Sequence, residues 1–392
     1  MRNKAKRLGS LMLVLALLIG TSSVVLTGCG DKETAEEPER VYNRLTGDET
    51  NTAEGKRSVA IVVENTAAAR PQWGIDDDEK SPDIILHGEV EGGITRMLWF
   101  YSDMEQVADK VGPLRSARPP YIRFSELFDS VFIHWGQSHS GDGYVGATTV
   151  FKNDDVDHIN QMTDSDSVGL FGRDTSRAVS SEHTGYLDGS KVKDAIKDKG
   201  FRTESDYKGL TFAEKTGDMG KDTCGSLTLK WSSRTEDITW KYDEEDNCYT
   251  SENFRTDVDR DNLIVLFDKT DYQTKSNYQG AGGAVTYCNY DLGGGKGYVI
   301  SNGTMCEITW AVEDGNLVLR HLLTEEQKEE QKKLEEEAED GEEVEKILGN
   351  IVELNPGKSW IGWASSNNGG KISTTPYEKK SEADDDDSDD DE

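Results

Sequence analysis

Basic residues are scarce in this 392-residue sequence, where 44 lysines and arginines stand against 76 aspartates and glutamates and leave a formal net charge of -32. Proteins bind nucleic acid by neutralising phosphates with lysine and arginine, so this charge argues against a nucleic-acid partner. Apolar residues are also few, at 34% of the chain, but the acidic excess is concentrated in a few segments, so a core can still form. The length predicts about two domains.

Cysteines are few as well, five in all, and one of them, Cys29, lies near the N-terminus. The others are Cys224, Cys248, Cys288 and Cys306, and no two have CxxC spacing. Outside the cell four thiols can pair in three ways, and the sequence does not choose among them. Unpaired, half-buried thiols and one or two disulfides both stay open.

The apolar run at residues 8–19 is too short for a stop-transfer helix, and it follows a basic stretch at the N-terminus. Residues 26–29, Leu-Thr-Gly-Cys, are similar to a bacterial lipobox. We therefore predict a signal peptide over 1–28 and palmitate-type acylation of Cys29, which anchors the protein stably at the extracytoplasmic face of the plasma membrane. An ordinary signal peptide with a chance cysteine is the alternative.

Composition divides the remainder into four segments, one of which carries an insertion. Residues 29–57 are polar and predict a disordered tether, and 376–392 form an acidic tail that self-repulsion keeps disordered. Residues 58–205 predict a mixed N-terminal domain, and 206–375 a mainly antiparallel β domain, because short alternating strands with Gly and Asp turns succeed one another there. Within that domain, residues 324–347 predict an acidic helical insertion. The fold class is α+β.

Local patterns predict the individual elements of the first domain. Continuous apolar runs at 58–64 and 131–135 are typical of buried strands. A helix with one apolar face is predicted from Pro119 onward, with Ser116 as its capping residue. A second helix is predicted over 191–199 after a Ser190 cap.

Residues 87–96 place two carboxylates, a glycine pair and an arginine between two apolar runs. Alternate side chains of an extended chain share a face, so Glu89 and Glu91 are expected side by side. Two like charges at that separation either repel or share a cation.

Four blocks of the first half occur together in one family. They are Val63-Glu-Asn65, Ala69-Arg-Pro-Gln72, Glu91-Gly-Gly-Ile-Thr-Arg96 and Gly112-Pro-Leu-Arg-Ser-Ala-Arg-Pro119. With Asn262-Leu-Ile-Val-Leu266 and Asn355-Pro-Gly-Lys-Ser-Trp-Ile361 further on, the sequence resembles the YerB-like lipoproteins over roughly residues 55–365. The resemblance implies a bacterial surface lipoprotein of two adjacent domains. That family has no established biochemical activity, so no reaction is implied.

The candidate binding residues lie at strand ends and in the loops between them. Arginine forks near carboxylates can hold an anionic or sugar-like ligand. Equally, the same groups can form a mutually satisfied network that clamps the loops. The set comprises Glu64, Asn65, Arg70, Gln72, Glu89, Glu91, Thr95, Arg96, Arg115, Ser116 and Arg118.

Other motifs are weaker. His134, His139 and Asp142 could form an open metal site only if the chain turns after Gly136, and the same segment lacks the second glycine of a serine nucleophile elbow. The acidic run at 257–261 has calcium-loop spacing without the required glycine. We therefore predict no metal and no cofactor.

The leading functional hypothesis is a non-catalytic binding or scaffolding lipoprotein of the cell envelope. Its partners are expected to be the membrane, through the lipid, and a cell-wall polymer or a membrane protein. The alternative is an envelope glycan hydrolase that uses Glu89 and Glu91 as paired carboxylates. The sequence leaves catalysis open, and no residue is assigned a catalytic role.

Overall fold

The computed structural model describes residues 42–50, 55–278, 283–338, 344 and 346–377, except the side chains of residues 277 and 278. The predicted signal peptide, Cys29, most of the tether and nearly all of the acidic tail lie outside these residues. All the described residues belong to one compact unit, 40–392.

Strands greatly outnumber helices. Those of the first half are β1 (Val59–Glu64), β2 (Ile84–Glu89), β3 (Thr95–Tyr101), β4 (Val131–His134), β5 (His158–Asn160), β6 (Phe171–Arg173) and β7 (Gly185–Leu187). Those of the second half are β8 (Asp222–Thr223), β9 (Ser226–Lys230), β10 (Asp237–Asp243), β11 (Cys248–Thr250), β12 (Asp259–Arg260), β13 (Asn262–Asp268), β14 (Thr270–Tyr278), β15 (Gly283–Tyr290), β16 (Gly295–Ser301), β17 (Thr304–Glu313), β18 (Asn316–His321), β19 (Ser359–Ser365) and β20 (Lys371–Thr375). The α-helices are α1 (Pro119–Glu126), α2 (Ala147–Asn153), α3 (Val192–Asp198) and α4 (Glu325–Glu337), and 3₁₀ turns occupy Ser181–His183, Gly189–Lys191 and Glu252–Phe254.

One large mixed sheet runs through both halves of the chain, in the order β18-β17-β16-β13-β19-β2-β3-β1-β4-β5. The short strand β8 also pairs with β17. Its central strands are buried on both faces, as their continuous apolar sequences predict. A second sheet, β12-β11-β10-β9-β20, and two hairpins, β14–β15 and β6–β7, complete the strand pairing of the described residues.

Alternate residues of the central strands feed two separate cores. On one face Ile61, Trp99 and Trp360 pack with residues of the second sheet and of α3. On the other face Val62 and Trp363 pack with α1 and the β14–β15 hairpin. Because side chains alternate along a strand, one apolar sequence can cover both faces of the sheet.

Strand β19 joins the halves. It runs parallel to β13 on one side and to β2 on the other, with Trp360 opposite both Leu263 and Ile85. The second half is therefore mixed at this strand and antiparallel in β16–β18 and in the second sheet. A mainly strand, α+β architecture matches the prediction in outline, and the boundaries 58–205 and 206–375 stay a prediction.

Several local expectations differ from the structure. Helix α1 begins at Pro119 without a side-chain cap, because Arg118 and not Ser116 occupies the N-cap position; the Ser116 hydroxyl donates to the Trp135 carbonyl. Near α3, the Ser190 N–H donates to Asp188, so Ser190 is not the capping residue. Within the predicted insertion, α4 forms with a Thr324 capping box.

The four cysteines of the second half are free thiols, so none of the three pairings forms. Burial raises the pKa of each of these thiols. In the part of the chain that the structure describes, no helix combines the length and apolar character needed to cross a membrane.

Candidate functional site

Strand β2 ends at Glu89, and Glu91 lies in the turn that leads to β3. Gly92 and Gly93 have φ angles of 64° and 81°, which L side chains adopt only with strain. The regular alternation of side chains between the two faces of β2 therefore ends before Glu91. The backbone of this turn pairs with β15, since the Gly92 N–H donates to the Thr286 carbonyl.

Two arginines hold Glu91. Arg118 Nε donates to Glu91 Oε2 at 2.7 Å, and Arg96 Nη2 donates to Oε1 at 3.0 Å. Both arginines also donate to backbone carbonyls of the neighbouring loop, Arg96 to Ser116 and Arg118 to Ala117. The carboxylate therefore ties the turn after β2 to the segment that precedes α1.

The pKa values follow from this arrangement. Burial alone would raise the pKa of Glu91, but the charges and hydrogen bonds of Arg118 and Arg96 outweigh it and lower the pKa to about 2. Burial would lower the pKa of Arg118, but Glu91 raises it, whereas burial lowers the pKa of Arg96. Glu91 is thus a carboxylate at any ordinary pH.

Glu89 contacts a different part of the chain. The Tyr272 hydroxyl donates to Glu89 Oε2 at 2.7 Å, and Arg234 Nε lies 3.6 Å from Oε1. Both partners come from the second half, and the Arg234 guanidinium also lies over the Tyr272 ring. The side chain of Glu89 is 1% exposed. Among the described residues, Glu89 and Glu91 therefore have different cationic partners and share no cation.

Glu64, at the end of β1, is a buried carboxylate with partners of its own. It accepts hydrogen bonds from Thr66 at 2.6 Å and from His183 Nδ1 at 2.9 Å, and Arg115 Nε lies 3.4 Å away. Arg115 also pairs with Glu182 at 3.1 Å. This group holds the 3₁₀ turn at Ser181–His183 against β1.

Asn65 is the centre of a fourth group. Its Nδ2 donates to Thr95 Oγ1 at 2.9 Å and lies 2.7 Å from His87 Nε2, while Gln72 and Arg70 donate to its Oδ1. Burial, together with the nearby Arg70 charge, lowers the pKa of His87 well below 6.5, so this imidazole is neutral. Uncharged hydrogen bonds therefore join β2, β3 and the loop after β1.

The eleven candidates lie along one region but are divided among separate networks. Six are buried: Glu64, Asn65, Gln72, Glu89, Arg96 and Arg118. The remaining five are partly exposed. Two small surface depressions, around Leu170 and around Tyr207, are lined by other residues.

The sequence patterns missed four residues that complete these networks: His87, His183, Arg234 and Tyr272. His87 was only the first residue of the polar stretch at 87–96, while the other three stand in segments with no motif. Elsewhere His134 Nε2 contacts His158 rather than His139, at 3.1 Å. Among the residues described, no group of three His, Cys, Asp or Glu side chains is placed to hold a metal ion.

This fold and these polar blocks define a known family, and the chain belongs to it. Residues 45–202 match "Protein of unknown function (DUF3048) N-terminal domain", and residues 227–330 match the corresponding C-terminal domain. The resemblance drawn from the six sequence blocks is confirmed.

A curated relative is "Putative lipoprotein YerB" of Bacillus subtilis (strain 168), which is 27% identical over 304 residues. The alignment covers 75% of this chain and 85% of the relative. The crystal structure of YerB protein from Bacillus subtilis matches with a TM-score of 0.61 and 24% sequence identity. It covers 86% of this chain and 100% of the crystallised one, and at that identity it supports the fold alone.

Proposed function

We propose that this chain is a lipid-anchored protein at the extracytoplasmic face of a bacterial plasma membrane, where it binds or scaffolds a partner. The anchor is the acylated Cys29 of the lipobox-like residues 26–29. The lipoprotein description of the YerB relative supports it. In this proposal the signal peptide, the tether at 29–57 and the domains at 58–205 and 206–375 have the boundaries drawn from the sequence.

A binding function is favoured over an enzymatic one because Glu89 and Glu91 are neutralised by different groups. A glycosidase needs two carboxyl groups that flank one bond, one of them with a raised pKa. Glu91 instead has its pKa lowered by two arginines, and Glu89 is buried against Tyr272 and Arg234. Glu89 Oε1 accepts no hydrogen bond among the described residues, but both carboxylates form ion pairs with arginines of their own chain, which favours a structural role over acid–base chemistry.

The eleven candidate residues then divide by exposure. The six buried ones support the loops from beneath by ion pairs and hydrogen bonds. The partly exposed ones border the proposed contact surface for a wall polymer or a membrane-protein partner, together with the loop at 65–72. They are Arg70, Glu91, Thr95, Arg115 and Ser116.

In-cell photocrosslinking tests this proposal. A photoreactive residue replaces the exposed Ala67, and a control replaces the exposed Lys197 on α3. We expect the anchored protein to be recovered with membranes and to give a discrete product from position 67 and none from 197. The Cys29→Ala variant should lose both the membrane recovery and the product, because two acyl chains supply stable attachment.

Two results would contradict the proposal separately. Membrane recovery that survives Cys29→Ala would remove the lipid anchor. Equal products from positions 67 and 197 in the anchored protein, or none from either, would remove the loop as a contact surface.

A further inference from the structure

Three arginines from distant parts of the chain surround one short loop. Arg70 belongs to the loop itself, Arg177 follows β6, and Arg255 ends the 3₁₀ turn before β12. Each donates to a backbone carbonyl of the loop, with donor–acceptor distances between 2.6 and 3.3 Å. The accepting carbonyls belong to alternate residues, Asn65, Ala67, Ala69 and Pro71. We call this group the arginine loop.

Among the described residues, the positive charges of the arginine loop have no hydrogen-bonded counter-ion. Within the described ranges, no carboxylate lies within 4 Å of Arg70, Arg177 or Arg255. Carbonyl oxygens accept hydrogen bonds but neutralise no charge. Burial and the neighbouring Arg255 charge both lower the pKa of Arg70, so the guanidinium groups of Arg70 and Arg255 repel each other. This group of three arginines contrasts with the net charge of -32 of the whole chain.

Carboxylates near the cluster are committed to other groups or act only at a distance. Asp174 pairs with Lys110 and acts on Arg177 only through its charge, and Asp76 accepts the hydrogen bond of the Thr256 hydroxyl. Glu236 acts on Arg70 only through its long-range charge. None of the three offers a hydrogen-bonded pair to the arginine loop.

Each guanidinium retains free donors. An arginine carries five N–H groups, and the contacts above use one or two on each side chain. Arg255 is exposed, whereas Arg70 and Arg177 are partly exposed. Several N–H groups therefore remain to bind a ligand from solvent.

The side chain of Arg177 is held in place before any ligand arrives. Its guanidinium lies 4.2 Å from the centroid of the Trp73 ring, and Lys110 lies 4.2 Å from the same centroid. Stacking of this kind fixes a long side chain, so less conformational entropy is lost when it binds.

We propose that the arginine loop binds the oxyanion group of a small extracytoplasmic ligand, a phosphate or a carboxylate carried by a sugar or a similar molecule. Planar guanidinium forks match both groups by paired hydrogen bonds. This inference rests on the proposed binding function and names the chemistry of its ligand. The proposed site draws on both halves of the chain, since Arg70 and Arg177 come from the first half and Arg255 comes from the second.

A small ligand fits better than a membrane surface. The chain's net charge of -32 repels an extended anionic surface, whereas a single oxyanion meets only the local field. Among the residues described, the exposed large apolar side chains all lie outside residues 65–73, so the loop has none to insert into lipid.

Calorimetric titration of the full chain in neutral detergent tests the site, with inorganic phosphate and acetate as probes at constant ionic strength. We expect saturable binding of at least one probe beyond a chloride reference. Arg177→Gln and Arg255→Gln should each weaken it about ten-fold, the usual effect of losing one charge-assisted hydrogen bond. Arg123→Gln removes an exposed arginine on α1 that does not contact the loop, and should leave the affinity unchanged.

The proposed site would be refuted if phosphate and acetate gave the same heats as chloride. It would also be refuted if the Arg123, Arg177 and Arg255 variants bound the probe with equal affinity. A second arm adds an anionic phospholipid to the micelles. Binding only of the micelle-borne phosphate would also overturn a small-ligand site. If neither phosphate nor acetate binds but the crosslink at position 67 persists, the oxyanion site is refuted and the proposed binding function is not.

Discussion

Replacing Arg118 with methionine is expected to lower the free energy of unfolding by about 3 kcal/mol, the lower end of the usual cost of removing one partner of a buried ion pair, because Arg96 still pairs with Glu91. Arg118 supplies the closest hydrogen bonds to Glu91, and Arg96 alone must then neutralise the carboxylate. Chemical denaturation at neutral pH measures the change. The matched control is Arg123→Met, which replaces an exposed arginine of α1. A surface charge of this kind contributes little to the free energy of unfolding.

The double variant Arg118→Met with Glu91→Gln sharpens this test. Removing the carboxylate charge as well leaves Arg96 without its ion pair, so some of the loss should remain, but it should be smaller than the sum of the losses of the two single variants because Arg118 and Glu91 share one interaction. A loss no larger than that of Arg123→Met would show that the ion pair does not hold the turn after β2 to the loop before α1.

Replacing Trp363 with alanine is expected to cost about 3–5 kcal/mol, as for other large buried aromatic side chains. Trp363 lies on β19, where its ring stacks on Tyr290 with centroids 4.0 Å apart and contacts Phe124 at 5.0 Å. Its indole N–H also donates to Asp268, whose pKa is raised by burial. The substitution therefore leaves both a cavity and a less satisfied buried carboxyl group.

Denaturation of this variant beside Tyr42→Ala, an exposed aromatic, separates core loss from loss of aromatic area in general. Since β19 is the strand that pairs with both halves, the loss should appear as one cooperative transition. A cost near 1 kcal/mol, or two separate transitions, would contradict the role of β19 in joining them.

Local patterns were sufficient for elements with a clear apolar rhythm. The strands β1 and β4 and the helix α1 fall where continuous runs or a single apolar face predicted them. The strand β14 was missed, because its sequence alternates few apolar residues and its stability comes from pairing with β15. Propensity gives no signal for a strand defined by its neighbour.

Long-range partners explain what sequence reasoning left out of the site. Tyr272 and Arg234 reach Glu89 from more than a hundred residues away, and nothing in their own segments marks them. Arg255 reaches the loop at 65–72 in the same manner. By contrast, Glu91 and Arg96 lie in one turn, so their pairing was within reach of a local pattern.

The central claim is that Glu89 and Glu91, the two carboxylates considered for acid–base chemistry, form ion pairs within their own chain. The pKa of Glu91 is the quantity that tests it. Its pKa falls from the usual 4.5 to about 2 on folding. A lowered pKa gives stability that is fully present above pH 4.5 and is lost as the pH falls toward 2. The shift corresponds to about 3 kcal/mol.

The most direct measurement is the NMR titration of the Glu91 side-chain carboxyl carbon in the folded protein, assigned by comparison with Glu91→Gln. We predict a midpoint at about pH 2, in agreement with a carboxylate held by Arg118 and Arg96. A midpoint above 4.5 would contradict the account, because a raised pKa is what a carboxylic acid needs to donate a proton near neutral pH.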